Sequence, residues 1–242
     1  MSVSAILSVS SDHRWVLTHY EPGESSRAHR HDTAQTSLLL AGGYIEESPE
    51  GILDVEGLHL SRKESGFEHQ NQFSDAGALI LSVQGPDAAA GAAGAAGYHV
   101  ATCGSREAGH AILTRTAAGA ALPGAVGGRL GEDAGRRRPA WISQARERLI
   151  AEPHAPIATL ARTIGRHPVA FARAFRGVYG RGPAQYRHDW RVANALHQIV
   201  RSQAPLAEVA IVEGFSDQAH MTRAIRQACG WSPGALRRLF AA

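Results

Sequence analysis

Two groups of residues in this chain have the types and spacing to do chemistry. His29 and His31 stand two apart, and in an extended segment residues i and i+2 share a face. Both imidazoles would then enter one cavity, where His69 from a facing strand can join them. Three imidazoles so placed suit Zn, Fe, Ni or Cu. Without an ion, they can hydrogen-bond an organic effector or one another. The second group is a pattern written twice near the C-terminus. It runs Ile157-Ala-Thr-Leu-Ala161-x3-Gly165, then His167-Pro168, Phe171, Arg173, Phe175, Gly180 and Pro183. It returns as Leu206-Ala-Glu-Val-Ala210-x3-Gly214, then Asp217, Met221, Arg223, Ile225, Gly230 and Pro233. Ala161 and Ala210 are 49 apart and Arg173 and Arg223 are 50 apart, so the intervening turn gains one residue.

Each copy reads as a short helix, a tight turn and a second helix with a basic outer face, which is a helix-turn-helix. In the first copy Ile157, Leu160, Ala161 and Ile164 fall on one face at helical spacing. Pro156 suits a helix start, and His167 caps the next helix, although Ser, Thr, Asp or Asn is the usual choice there. Phe171 and Phe175 turn inward and leave Val169, Ala172 and Arg173 outward. In the second copy Leu206, Val209 and Ala210 form the packing face, and Ser216-Asp217 offers two capping side chains. Met221 and Ile225 point inward, leaving Gln218, Ala219, Arg223 and Arg226 available with His220 beside them. The stretch Ala184 to Arg201 between the copies is helical and roughly 27 Å long at about 1.5 Å per residue. One turn of DNA is about 34 Å, so such a strut would set two reading helices in successive major grooves.

The N-terminal half follows another pattern. Thr36–Leu40, Leu58–Leu60 and Ala78–Val83 are short apolar runs bounded by turn residues, as strands are. Several at this spacing predict a small β-sandwich or barrel. His13, His19, His59, His99 and His110 show no ligand spacing with one another and read as surface or structural residues. Asp87 to Gly97 is an Ala/Gly low-complexity tract in which a stable helix is disfavoured. Tyr98 to Ala121 predicts one or two helices, and Gly124 to Arg138 is the expected linker.

Composition bounds the function. At 242 residues the chain accommodates two cores, and 44% hydrophobic content indicates a globular protein. No apolar run approaches the roughly 18 residues needed to span a bilayer. Met1 to Trp15 lacks the basic start and apolar stretch of a secretion signal, and two cysteines, Cys103 and Cys229, fit a reducing cytoplasm. The net charge of +3 conceals a split. Residues 1–135 carry 8 basic against 16 acidic side chains, and residues 136–242 carry 17 arginines against 6 acids. A half charged in that way meets a polyanion.

The run of residues Leu160-Ala161, Arg173-x-Phe175, Gly180-x2-Pro183, Tyr186, Arg191-Val192-x2-Ala195, Gly214-Phe215, Arg223 and Pro233-x3-Arg237 resembles the DNA-binding domain of the AraC/XylS family of bacterial transcription regulators. The likeness covers about 100 residues in one order, Trp141 to Leu239, and departs at His167 (usually Ser) and His197 (usually Leu). It implies a seven-helix domain with a central linking helix. The family's base-reading positions fall on Val169, Ala172 and Arg173 in the first unit and on Gln218, Ala219, His220 and Arg223 in the second. Only the second unit pairs an amide with an arginine. Arg reads guanine and Gln adenine bidentately, each worth roughly 1–3 kcal/mol of discrimination, so the second unit is expected to carry more of the specificity. Arg173 could equally neutralise phosphate.

Gly23-x5-His29-x-His31-x3-Gln35-x6-Gly42 resembles the first cupin motif, with Gln35 where that motif has Glu, and Gly66-x2-His69 resembles part of the second. Glu64 and Phe73 stand where Pro and Asn are expected. The resemblance implies an effector pocket built from His29, His31, Gln35 and His69, with the three histidines as ligands for a divalent transition metal. No cofactor is required by it. The expected architecture is a two-domain α+β protein. It has a cupin-like β-barrel or sandwich over 12–85, an Ala/Gly-rich connecting segment over 86–138, and an all-α seven-helix domain with two helix-turn-helix units over 139–242. The implied function is that of a cytoplasmic, non-enzymatic regulator of transcription. Its partners would be double-stranded DNA and a small-molecule or metal effector, with RNA polymerase and a second copy of the chain as further candidates, and no membrane. The alternative is a metal-dependent cupin enzyme with a helical partner domain.

Overall fold

The computed structural model describes residues 1–85, 98–103, 105–117 and 139–241. The expected tract at 87–97 and the expected linker at 124–138 lie outside the described residues. Seven strands form one bent antiparallel sheet: β1 (Val3–Val9), β2 (Arg14–Tyr20), β3 (Ala34–Ser48), β4 (Gly51–Glu56), β5 (His59–Lys63), β6 (Gln70–Gly85) and β7 (Tyr98–Thr102). Their order is β1-β2-β6-β3-β5-β7, with β4 on the far half of β3. The long strands β3 and β6 pass through both layers of the barrel. Register shifts between Leu39 and Ala41 and between Gly42 and Tyr44 bend them there, as bulges do. The expected strands Thr36–Leu40 and Ala78–Val83 lie inside β3 and β6, and the expected Leu58–Leu60 begins one residue before β5. The sheet also takes in β1 and β7, beyond the expected 12–85 span. β1 is an edge strand whose apolar residues Val3, Ala5, Ile6, Leu7 and Val9 are interrupted by Ser4 and Ser8. Tyr98–Thr102 pairs with β5, which corrects the expectation of helix there. The helix follows as α1 (Arg106–Ala117).

Both faces of the barrel's larger layer are buried. Leu39, Tyr44, Phe73, Ala78 and Ile80 pack inside. The alternate residues Leu17, Leu38, Leu60, Leu79, Leu81 and Val83 face outward into a second core. Burial on both sides explains why Ala78–Val83 reads as a continuous apolar run without alternation.

The C-terminal unit contains seven helices: α2 (Ala140–Ala151), α3 (Ile157–Thr163), α4 (Pro168–Tyr179), α5 (Pro183–Arg201), α6 (Leu206–Val212), α7 (Gln218–Cys229) and α8 (Pro233–Phe240). The first helix-turn-helix, α3–α4, closes a core of its own around Leu160, Phe171, Phe175 and Tyr186 with Ile142 and Leu149 of α2. The second, α6–α7, does not. Val209, Met221 and Ile225 join Val192, Leu196 and Ile199 of α5 in the same cluster as the outward leucines of the barrel and Leu113 of α1. The turns of both units need a left-handed residue, supplied by Gly165 (φ +70°) and Gly214 (φ +77°).

Histidine enters this shared core. His19 of β2 is 1% exposed and stacks on His197 of α5 with ring centroids 5.3 Å apart. Neither ring nitrogen of His19 has a hydrogen-bond partner, so the residue is buried without being satisfied. Arg201 and Glu21 pair at the rim of the contact, and the chain's amino group also meets Glu21. Burial first, then His197 and Arg201, lowers the His19 pKa to about 4, and burial lowers that of His197. A depressed histidine pKa contributes stability that is complete above the unfolded value near 6.5 and is lost as pH falls toward 4. For His19 the full effect is on the order of 3 kcal/mol. The expected outcome is a steeper loss of melting temperature from pH 7.5 to 4.5 in the native chain than in a His19→Leu/His197→Leu double variant. Parallel pH profiles would remove this pair as the cause.

Candidate functional site

Two sets of side chains meet the requirements for binding. The first lies on the outer faces of α4 and α7. Each helix begins at a capped turn. The His167 imidazole accepts from the Val169 amide at 3.4 Å, and the Asp217 carboxylate accepts from the His220 amide at 2.7 Å. Each helix ends at a left-handed glycine, Gly180 and Gly230. Phe171, Phe175, Met221 and Ile225 are fully buried, and burying each large apolar side chain contributes roughly 1.5–3 kcal/mol. With those anchors inside, the opposite faces are fixed toward solvent. Val169, Arg173, Gln218, Ala219 and Arg223 are exposed, and Ala172 is half-buried. His220 is drawn back onto the scaffold. Its ring bonds Ser216 at 3.1 Å and meets Phe215 edge-on, which leaves Gln218 and Arg223 as the freest polar groups of the second helix.

The arginines divide into two classes by their partners. Arg187 donates to the Ala155 carbonyl, Arg191 to the Pro153 carbonyl, and Arg237 to the carbonyls of Ile199 and Ala204. Arg146 donates to the Tyr186 hydroxyl, and Arg166 lies over the Trp141 ring. These cations brace helix ends and turns. Arg173, Arg176, Arg223 and Arg226 instead stand exposed along the outer faces of α4 and α7, where a polyanion can reach them.

The second set is the histidine cluster in the barrel. His29 and His69 exchange both backbone hydrogen bonds, at 3.0 and 3.1 Å, as directly opposed residues of neighbouring strands do. His31 follows two residues on, and one nitrogen from each ring lies within 4.8 Å of the others. His69 is buried and His29 is partly open to solvent. Burial first and then Lys63 lower the pKa of His31 to about 4 and hold that of His69 well below the usual range. Both rings are therefore neutral at pH 7, the form a metal ligand requires. His31 Nε2 and His69 Nδ1 are buried with no partner, an arrangement that fits an ion. Two nitrogens on one ion at about 2.0–2.1 Å lie at most roughly 4 Å apart, so spacings of up to 4.8 Å close on an ion through side-chain rotation.

Gln35 is held apart from this group. Its amide donates to Ser37 and Ser82 at 3.0 and 3.3 Å, and its carbonyl oxygen is buried without a partner. Beside the cluster lies a group that the sequence patterns did not reveal. Lys63 and Glu46, 7% and 1% exposed, form a 2.6 Å ion pair, and Lys63 also lies 5.4 Å over the Tyr98 ring. Burial raises the Glu46 pKa, against the pull of Lys63. Nothing in the local sequence marks either residue. They meet because β3 and β5 pair while β3 bends beyond its bulges.

A helix-turn-helix domain family model matches residues 160–239. A Streptomyces antibioticus protein described as an AraC-like transcription regulator is 30% identical over 82 residues, which are 34% of this chain and 27% of that one. Residues 160–239 form a helix-turn-helix domain similar to that of AraC-like regulators. The chain thus spans about a quarter of the length of this curated relative. Among solved structures, the C-terminal domain of AraT, a response regulator from Geobacillus stearothermophilus, is similar at 21% identity. The match covers 42% of this chain and 87% of that domain with a TM-score of 0.40. A cupin superfamily protein from Desulfitobacterium hafniense is similar to another part at 16% identity, covering 36% of this chain and 79% of its own with a TM-score of 0.34. Within the helix-turn-helix unit, the residues that carry the AraC/XylS resemblance fall mainly on the buried faces and turns: Leu160, Ala161, Phe175, Tyr186, Val192, Ala195, Gly214 and Phe215.

The buried pair makes a stability prediction. Removing one partner leaves an uncompensated charge, so Lys63→Met is expected to destabilise the chain by about 3–5 kcal/mol. The double variant Lys63→Met/Glu46→Leu should recover much of that loss. Chemical denaturation checks both, and an equal loss in single and double variants would show that the charge is not the cause.

Proposed function

We propose that this chain is a cytoplasmic, sequence-specific DNA-binding regulator of transcription in which α4 and α7 each enter a major groove. The reading residues are Val169, Ala172 and Arg173 of α4 and Gln218, Ala219, His220 and Arg223 of α7. One observation carries the reading. The structure uses several arginines of the helical unit, Arg146, Arg187, Arg191 and Arg237 among them, as internal braces, yet leaves an exposed arginine at equivalent positions on both outer helix faces. The strut α5 between them is 19 residues, about 28 Å at 1.5 Å per residue, a length compatible with neighbouring grooves. No helix of the described residues is long and apolar enough to cross a membrane.

The barrel supplies the effector site in this proposal. His29, His31 and His69 would hold a divalent transition metal through neutral imidazoles, and the ion would present open positions to an effector. Gln35, tied to Ser37 and Ser82, stands at the polar wall as a neutral group where a ligating carboxylate would carry charge. Regulation then requires an effector that prefers one of two arrangements of the chain, since equal affinity for both shifts nothing.

The test of DNA reading is selection of bound fragments from genomic DNA, followed by titration of the preferred site against scrambled duplex at several salt concentrations. Arg223→Ala should lower the ratio of specific to random affinity by about 5–150-fold, equivalent to roughly 1–3 kcal/mol. Arg173→Ala should reduce both affinities and the salt slope with a smaller change in ratio. Failure of any genomic fragment to outcompete scrambled DNA would falsify the reading. The metal reading has its own check. Protein purified without a histidine tag should contain a transition metal that the His29→Ala/His31→Ala variant lacks, and equal metal content in both would end it.

A further inference from the structure

Between the barrel and the helical unit lies a cavity of about 450 Å³, within the roughly 300–1,000 Å³ range of small-molecule sites. Its barrel wall is the bend of β3, the turn between β4 and β5, and the start of α1. Its helical wall is the first half of α5 and the last turn of α7. It is separate from the histidine cluster, none of whose residues line it. The walls combine apolar surface from Leu40, Leu58, Val192 and the flank of Trp190 with two guanidinium groups, Arg106 and Arg181.

The two arginines differ in what they have left to offer. Arg181 is met by two carboxylates, Asp189 at 2.7 Å and Glu56 at 3.5 Å. Among the described residues Arg106 pairs with its chain neighbour Glu107, whose side chain is 69% exposed. Such a solvent-facing pair contributes little, and the Nε of Arg106, like that of Arg181, is buried with no acceptor among the described residues. Among the described residues, Arg106 is therefore the cavity arginine with the weaker carboxylate compensation.

Each arginine also forms a seam between the two units. Arg181 lies so close on Gly57 that a Cβ there would come within 2.6 Å of its Nη1. Arg106 lies on Gly230 in the same way, with a hypothetical Cβ 2.7 Å from its Nη1. Gly230 is the left-handed cap that ends α7, so a group that engages Arg106 acts on the end of the second reading helix.

We propose that this cavity is an effector site distinct from the barrel interior, and that its ligand is a small carboxylic acid with a flat or compact apolar body. The body is held against Leu58, Val192 and Trp190. The carboxylate displaces Glu107 and accepts hydrogen bonds from Arg106. Occupation changes the seat of Arg106 on Gly230 and thereby biases the position of α7 against the barrel.

The experiment is isothermal titration of the full chain with 2-naphthoate and with cyclohexanecarboxylate, using 2-naphthamide as the uncharged counterpart. At least one acid should bind. Naphthamide should bind at least tenfold more weakly than naphthoate, Arg106→Gln should weaken acid binding at least tenfold, and Ala228→Phe should block it by filling the cavity. The His29→Ala/His31→Ala variant should bind normally. Hydrogen exchange on the native chain gives a readout independent of any variant's folding, and the acid should add protection at the start of α1 and the first turns of α5. The proposal is overturned if neither acid binds at millimolar concentration, if binding is indifferent to Arg106→Gln and Ala228→Phe in folded protein, or if binding and protection follow the barrel histidines.

Discussion

The outer face of the barrel sheet is apolar and has to be covered, and the rest of the architecture follows from what covers it. Leu17, Leu38, Leu60, Leu79, Leu81 and Val83 cannot face water without a large hydrophobic penalty. The structure covers them with α1 and the AraC-type unit's central helix α5. The second helix-turn-helix packs its own core residues, Met221 and Ile225 among them, into that same cluster. The first keeps its core to itself. The two readers are thus unequal in mechanical terms: one is continuous with the barrel, and the other hangs from α5 as a separately packed body.

Contact between the barrel and the first reader is polar by comparison. Glu56, at the end of β4, accepts from the Tyr186 hydroxyl at 3.1 Å and faces Arg181 at 3.5 Å and Arg146 at 4.0 Å. These groups are about one-fifth exposed, so water can replace each partner at modest free energy. Packed apolar cores tend to occupy discrete arrangements, whereas partly hydrated ion pairs exchange partners readily. A change in the barrel would accordingly move the second reader as a unit and adjust the first through Glu56. Under the proposed function, the relative placement of the two outer helix faces, more than the exposure of either, is the variable that an effector would alter. The outer faces of α4 and α7 are already open to solvent with the barrel in place, so masking is not needed.

The legibility of the sequence followed the periodicity of burial. The tandem unit was readable because its helices are amphipathic, with Phe171 and Phe175, or Met221 and Ile225, on one face and arginines on the other. Its turns also require glycine at Gly165 and Gly214. The barrel was readable only in part, because strands buried on both faces lose the alternation that identifies them, as in Ala78–Val83. The histidine pair His29/His31 carried a spacing signal, and backbone pairing places His69 beside it. The Lys63–Glu46 pair, the His19–His197 stack and the arginine seams on Gly57 and Gly230 carried none. Each joins residues far apart in sequence, and each depends on how two elements dock rather than on the pattern within either.

Charge distribution ties the fold to the choice of partner. The 17 arginines after residue 135 face only 6 acids in the same segment, and several find their compensation outside the segment: Arg146 and Arg181 on Glu56, Arg201 on Glu21. The acidic barrel thus neutralises arginines on the docked side of the helical unit, while those on the outer faces of α4 and α7 stay exposed, with the capping Asp217 as an acid near Arg223. A chain with the same composition but with the acids of the barrel spread over the helical unit would cancel its own field toward a polyanion. Segregating the acids to one unit and docking that unit through α5 keeps the field where the two outer helix faces are. The interface that buries the sheet's apolar face is, for that reason, also what makes the opposite surface basic.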